Sequence, residues 1–173
     1  MDPRSRVSTP VRFWLDPLCP FCWTTSQWLR SVAAERDLSI SYQPISLLVK
    51  NQIGDDSPWY GVAKWGYGLL RVLESVRAVE GETAFDDESF DDELLRRHHE
   101  GLALVGNDVG TPIIGVPGRD GGEVGVFGPV ITALPNRDDA LALWDATFTL
   151  ARLPEFFELK RTRTSGPNPG ERP

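Results

Sequence analysis

The chain has 173 residues, 40% of them apolar and 25% charged, and 18 basic against 25 acidic side chains leave it a net charge of −7. That length buries one core of its own, and ordinary domain sizes point to one domain. The acidic balance argues against a nucleic-acid-binding face, and no apolar run approaches the roughly 18 residues of a membrane-spanning helix.

Residues 1–9 read as an N-terminal extension without the apolar stretch of a signal peptide, so a cytoplasmic protein is expected. Val11 to Leu15 reads as a first strand and Asp16-Pro17-Leu18 as a turn. A helix follows from Pro20, whose preset φ and missing N–H suit a first helical position. Trp28, Leu29, Val32 and Ala33 form its apolar face, and Asp37 ends it. Leu38 to Ile45 alternates as a second strand, so a right-handed parallel strand–helix–strand unit is expected. Residues 51–58 are a polar loop.

Val62, Trp65, Leu69, Leu73 and Val76 then mark an amphipathic helix, with this stripe as its buried face. An acidic break spans residues 81–88, and Phe90, Leu94, Leu95, Leu102 and Val105 predict a further helix ending near Gly106. Residues 112–116 and 124–127 read as two strands joined by a glycine-rich turn, an antiparallel hairpin. Ala140, Leu141, Trp144 and Phe148 mark a last helix. Residues 163–173, rich in proline, glycine and charge, are expected to be a disordered tail.

The only two cysteines stand in Cys19-Pro20-Phe21-Cys22, between a strand and a helix. A C-x-x-C in that setting is the thioredoxin-type redox signature. Two thiols one helical turn apart can close into a disulfide, and the helix N-terminus favours the thiolate. The order is βαβ, a helical insertion over about 58–106, then ββα. This predicts an α/β, thioredoxin-like fold with a central mixed sheet over residues 10–162.

Thr111-Pro112 opens a strand at the place where thioredoxin-like proteins carry a cis-proline facing the C-x-x-C. A trans proline starting an edge strand is the plainer alternative. For the cysteines, Cys19 is read as the exposed nucleophile and Cys22 as the resolving thiol. Half a zinc site completed by His98 and His99 is disfavoured, because adjacent helical side chains point about 100° apart. Two inert core thiols are the other alternative. No metal or bound cofactor is required.

Asp16 is read as a turn residue, with an influence on the thiols as the sharper alternative. His98 is expected to be a satisfied core or interface histidine. Trp14, Trp28, Trp65 and Trp144 are expected in the core. Phe21 and Trp23 flank Cys22, with Phe21 exposed above the site. Lys160-Arg161-Thr162-Arg163 is read as a solvated helix end, with anion binding as the alternative.

The run Phe13-Trp14-Leu15-Asp16-Pro17-Leu18-Cys19-Pro20-Phe21-Cys22-Trp23 resembles the opening of the mycothiol-dependent nitroreductases, a DsbA-like branch of the thioredoxin superfamily. The resemblance extends through His98-His99-Glu100-Gly101, Val109-Gly110-Thr111-Pro112, Phe127-Gly128-Pro129-Val130 and Phe156-Phe157-Glu158-Leu159-Lys160-Arg161-Thr162-Arg163-Thr164. It implies a cytoplasmic oxidoreductase recycled by mycothiol as thiol co-substrate and acting on nitroaromatic compounds or small disulfides. It implies Cys19 as nucleophile and Cys22 as its partner. Pro20, Phe21, Trp23, Asn51, Tyr60, Thr111 and Pro112 would then shape the substrate pocket. Phe21 stands where the family usually has tryptophan, so stacking survives without the indole N–H. The family's helical insertion is longer than the passage from Ala78 to Asp92 here, which implies a shorter lid and a more open site. A homodimer is left open.

Three other readings remain: a DsbA-type protein disulfide oxidoreductase or isomerase, a non-catalytic thioredoxin-like binding module, and a glutathione-transferase-like isomerase. The missing secretion signal counts against the first. The presence of both cysteines counts against the other two.

Overall fold

The computed structural model describes residues 8–78 and 84–168, with Ala78 described in its backbone alone. The elements run β1 (Thr9–Leu15), α1 (Pro20–Ala33), β2 (Leu38–Pro44), α2 (Leu47–Lys50), α3 (Tyr60–Ala78), α4 (Asp91–Val105), β3 (Ile113–Pro117), β4 (Glu123–Phe127) and α5 (Arg137–Ala151). Two single turns of 3-10 helix, Ala84–Asp86 and Glu88–Phe90, lead into α4.

The four strands form one mixed sheet in the order β2-β1-β3-β4. β2 pairs parallel with β1, while β3 runs antiparallel to both β1 and β4. This is the thioredoxin-like arrangement the sequence predicts: a strand–helix–strand half, a helical insertion, then a hairpin and a closing helix. The hairpin turns at Gly118–Gly122, closed by the Gly118 N–H donating to the Gly122 carbonyl at 2.7 Å.

Alternation along the central strands sends neighbours to opposite faces of the sheet. Val11 and Phe13 of β1, with Ile114 and Val116 of β3, pack against Trp28, Leu29 and Val32 of α1 and Ala140 and Trp144 of α5. Trp14 and Ile113 point the other way, toward Ile45 and the α4 side chains Leu102, Leu104 and Val105. Burying large aromatic and aliphatic side chains on both faces is the main favourable term, about 1.5–3 kcal/mol for each fully buried side chain. Trp14 donates its indole N–H to the Arg97 carbonyl at 2.8 Å, and Trp28 donates to the Ala140 carbonyl at 2.9 Å. Trp14 thereby ties α4 to the sheet and Trp28 ties α1 to α5, and neither leaves a buried donor orphaned.

The structure corrects the sequence reading of several elements, among them residues 160–163, read as a solvated helix end, which lie in non-helical chain beyond the end of α5 at Ala151. β1 begins two residues before Val11. α1 stops at Ala33, and the chain turns through residues 34–37, with Asp37 at a φ of 49°. The short α2 lies just before the expected loop, in residues for which no element was predicted, capped by the Ser46 hydroxyl accepting from the Val49 N–H.

The largest correction concerns α3. α3 exists as predicted, but the stripe read as its buried face lies outward: Val62, Trp65 and Val76 are 57%, 53% and 64% exposed. The inward face is Ala63, Gly66, Gly68, Leu70, Glu74 and Ser75. Close approach selects small residues there. A Cβ on Gly66 would lie 2.5 Å from Leu18, and one on Gly68 would lie 2.6 Å from the Phe85 ring. Glu74 is buried but held by Arg97 at 3.1 Å, an ion pair that an apolarity count cannot anticipate.

Candidate active site

The turn entering α1 is organised by one buried carboxylate. Asp16 accepts from the Leu18 N–H at 2.8 Å and the Leu47 N–H at 2.7 Å, and its carbonyl accepts from the Cys19 N–H at 3.0 Å. Asp16 is thus the turn residue expected, and it also pins the start of α2 to the motif. Burial raises its pKa, with the two backbone donors opposing the rise.

Cys19 occupies the N-cap of α1 and Pro20 the first helical turn. Both thiols are free and both are buried, Cys19 at 7% exposure and Cys22 at 2%, so Cys19 is not the exposed thiol that the sequence reading expected. The Cys22 thiol donates to the Cys19 sulfur. The Thr111 hydroxyl and the backbone N–H groups of Cys22 and Phe21 add to this. Together these donors outweigh burial and lower the Cys19 pKa from 9.0 to about 6. The Thr111 carbonyl oxygen, 3.8 Å from Cys19 Sγ, favours the protonated thiol instead, but at that distance it is the weaker contact. Cys22 moves the other way: burial, then its contacts with Cys19, push its pKa well above 9.0. The pair is therefore polarised into one thiolate and one retained proton.

The peptide bond between Thr111 and Pro112 is cis, and both residues are buried against the motif. A second cis bond, Gly128–Pro129, was not read from the sequence. The Pro129 carbonyl accepts from the Thr25 hydroxyl at 2.9 Å, which fastens that loop to α1.

A cleft of about 440 Å³ opens beside the cysteines, lined by Leu15, Asp16, Pro17, Cys19, Cys22, Trp23, Ser26, Gln27, Arg30 and Tyr42. Its walls are mainly apolar, with Arg30 as a cation that also opposes the burial-driven rise of the Tyr42 pKa. A larger concavity, about 540 Å³, is formed by Glu158, Lys160, Arg161 and Thr162 and includes no residue of the redox motif. Of these two, only the first includes the cysteines.

The sequence-predicted residues are therefore only partly brought together. Cys19, Cys22 and Thr111 are in mutual contact, Pro20 is exposed at the helix start, and Trp23 borders the cleft. Phe21 is half-buried rather than exposed, because the Arg163 guanidinium covers its ring at 4.6 Å from the centroid. Asn51 ends α2 and Tyr60 begins α3; neither lines the cleft. The reading missed Ser26 and Arg30, although they follow Cys22 at helical spacing of four and eight. It also missed Tyr42, which only the pairing of β2 with β1 brings near. His98 is a buried core histidine, its Nδ1 accepting from the Ser46 N–H at 3.1 Å, and burial lowers its pKa to about 4.

A family model described as Rv2466c-like, mycothiol-dependent nitroreductase Rv2466c, matches residues 18–87 and 80–161. The chain belongs to this family. It is an oxidoreductase of the mycothiol-dependent nitroreductase type. A relative from Mycobacterium tuberculosis (strain ATCC 25618 / H37Rv), the uncharacterized protein Rv2286c, is 27% identical over 198 residues, covering 90% of this chain and 83% of the relative. Those 198 aligned positions exceed the 173 residues of this chain, so the relative carries inserted segments that this chain lacks. The family match likewise comes in two pieces that meet at residues 80–87, where missing helical turns were expected. Residues 79–83 of that stretch lie outside the described residues. Among solved structures, the cytosolic disulfide reductase DsbM from Pseudomonas aeruginosa is similar, with a TM-score of 0.44 and 16% identity over 82% of this chain and 100% of that one.

Proposed function

We propose that this enzyme is a dithiol reductase in which Cys19 is the nucleophile, Cys22 the resolving thiol and mycothiol the reductant. The observation that carries the reading is the opposite displacement of the two thiols, Cys19 down to about 6 and Cys22 well above its usual range. At neutral pH the attacking sulfur is then already a thiolate while its partner still holds a proton.

With a small disulfide, the Cys19 thiolate attacks one sulfur, a mixed disulfide forms and the other half leaves as a thiolate. Cys22 loses its proton to that leaving group or to water and attacks Cys19 Sγ. The second half departs, and a Cys19–Cys22 disulfide remains. Two mycothiol molecules restore the dithiol, the first forming a mixed disulfide on Cys19 and the second releasing it as mycothiol disulfide. A nitro group takes the same two electrons and two protons per turnover, giving a nitroso group and water as the dithiol becomes a disulfide.

Phe21, Trp23, Thr111 and Pro112 frame the reacting sulfur in this proposal, with Pro20 at the rim and Asn51 and Tyr60 farther out. The 440 Å³ cleft supplies the volume for a small aromatic molecule. No helix among the described residues is long and apolar enough to cross a membrane, in keeping with a cytoplasmic site of action.

The test is to offer the oxidised protein mycothiol or thioredoxin in parallel, counting free thiols by mass after alkylation. Reduction by mycothiol, with a mycothiol adduct trapped on Cys19 in the Cys22→Ser protein, is the expected result. Reduction by thioredoxin alone would replace this reading with a protein-disulfide oxidoreductase.

A further inference from the structure

The C-terminal segment does not leave the molecule after α5. It turns at Leu153–Phe156, with the Phe156 N–H donating to the Leu153 carbonyl at 3.0 Å, and runs back across the N-terminal end of α1. It is fastened beyond the motif by the Asn168 N–H donating to the Thr132 carbonyl at 2.6 Å and by Ser165 meeting the Thr132 hydroxyl at 3.4 Å. Between these anchors the Arg163 guanidinium lies over Phe21, the aromatic residue between the two cysteines, with its Cζ 4.6 Å from the ring centroid.

Stacking occupies the face of a guanidinium and leaves its N–H edge available. Several arginines of this acidic chain engage that edge: Arg36 holds Asp145 at 2.7 Å, Arg71 holds Asp91 at 2.6 Å and Arg97 holds Glu74 at 3.1 Å. Among the described residues no carboxylate or carbonyl accepts from Arg163, which remains exposed to solvent. Its neighbours Lys160 and Arg161 share their concavity with Glu158, whereas Arg163 is the cation that covers Phe21, inside the cysteine motif. Nor is Arg163 among the groups that hold Cys19 as a thiolate, which are Cys22, Thr111 and the backbone of α1. Its charge is available to something that arrives.

We propose that Arg163 is a substrate-anchoring residue: stacked on Phe21, it holds the anionic group of an acidic aromatic substrate while Cys19 attacks. The occupant is aromatic because the nearby surface is, with Phe21 beneath the guanidinium and Trp23, 42% exposed, lining the cleft beside the cysteines. It is anionic because a planar fork of N–H donors pairs best with a carboxylate or a comparable oxyanion. The proposal rests on the reading of Cys19 as nucleophile and adds the class of substrate that site prefers.

The experiment compares two disulfides, an aromatic one bearing ring carboxylates and the neutral dipyridyl disulfide, each reduced by the full-length protein with mycothiol as electron source. For Arg163→Gln, kcat/KM on the carboxylate substrate is expected to fall about ten- to thirtyfold, chiefly through KM, in the range of a lost charge-assisted pair. Turnover of the neutral substrate should stay within about twofold, which also shows that the variant is folded. Arg163→Lys, which keeps the charge but not the fork, should lie between, and added salt should erode the wild-type preference for the anion. Equal losses on both substrates, with the alkylation midpoint of Cys19 raised, would overturn the proposal in favour of an effect on the thiolate. Unchanged rates on both would overturn it outright. Cys19→Ser separates the two layers: retained turnover there sinks the nucleophile reading whatever Arg163 does.

Discussion

Cys19 gathers donors from three sources: a neighbouring thiol, the Thr111 hydroxyl and the first N–H groups of α1. None is a cation, so the thiolate is stabilised by short-range hydrogen bonding and should be insensitive to salt. The rate of Cys19 alkylation, followed across pH, should rise with a midpoint about pH 6 instead of near 9. Thr111→Val removes one donor and should move that midpoint upward. The same shift bears on stability. Between about pH 6 and 9 the unfolded chain binds the Cys19 proton and the folded one does not. For this group alone, stability of the reduced protein therefore rises with pH through that window and is lost as pH falls through about 6. His98 acts in a lower window. Its neutral imidazole is buried and accepts from the Ser46 N–H, with a pKa lowered from 6.5 to about 4. Its contribution is complete above about 6.5 and is lost as pH falls toward 4. Chemical denaturation at intervals across that range should show a loss on the order of 2 kcal/mol that is absent in His98→Asn, itself less stable at neutral pH.

At the scale of elements, α3 is the informative helix. Its inward face is built from small residues that let it approach Leu18 and Phe85, and Leu70 is the fully buried anchor. Leu70→Ala should cost about 2–5 kcal/mol, whereas Val62→Ser and Val76→Ser, on the outward stripe, should stay within about 0.5 kcal/mol. Guanidinium chloride midpoints at constant slope would distinguish the two faces directly. The opposite result, large losses at Val62 and Val76, would restore the face that periodicity proposed. Gly101 of α4 offers a second check: a Cβ there would meet the Trp14 ring at 2.7 Å, so Gly101→Ala should cost about 1–3 kcal/mol through overpacking against a rigid indole.

For the whole molecule, two layers flank the sheet, and a long return segment crosses one end of it. The sheet and its helices hold the buried residues; the return segment buries little, with Phe157 and Leu159 almost fully exposed. Deleting residues 157–173 should therefore change Tm by no more than about 2–4 °C while removing the covering of Phe21. A cooperative melt within that range, with altered substrate preference, is the expected outcome. A collapse of Tm would show the segment to be structural instead.

Much of this was legible without coordinates because it depends on near neighbours in the chain. The βαβ and hairpin units, the N-cap position of Cys19 before Pro20, and the glycine-terminated α4 are local events, governed by turn chemistry, capping and periodicity. The cis geometry at Thr111-Pro112 was legible only from its place in that order. What the sequence left undecided depends on how closely distant elements approach. Hydrophobic spacing marked α3 as amphipathic but pointed to the wrong face, since glycines that permit close packing carry no apolar signal and a buried Glu74–Arg97 pair carries a polar one. Distance in the chain likewise hid the entry of Tyr42 into the cleft and the return of Arg163 over Phe21, whereas Thr111 was placed by its position in the element order and Arg30 stood within helical spacing of Cys22. The sequence by itself determined the fold class, the element order and the close cysteine pair, because each is written in contiguous residues. Only the tertiary structure decided which side chains surround that pair and set its charge, because burial and hydrogen bonding act over ångströms between residues that lie far apart along the chain.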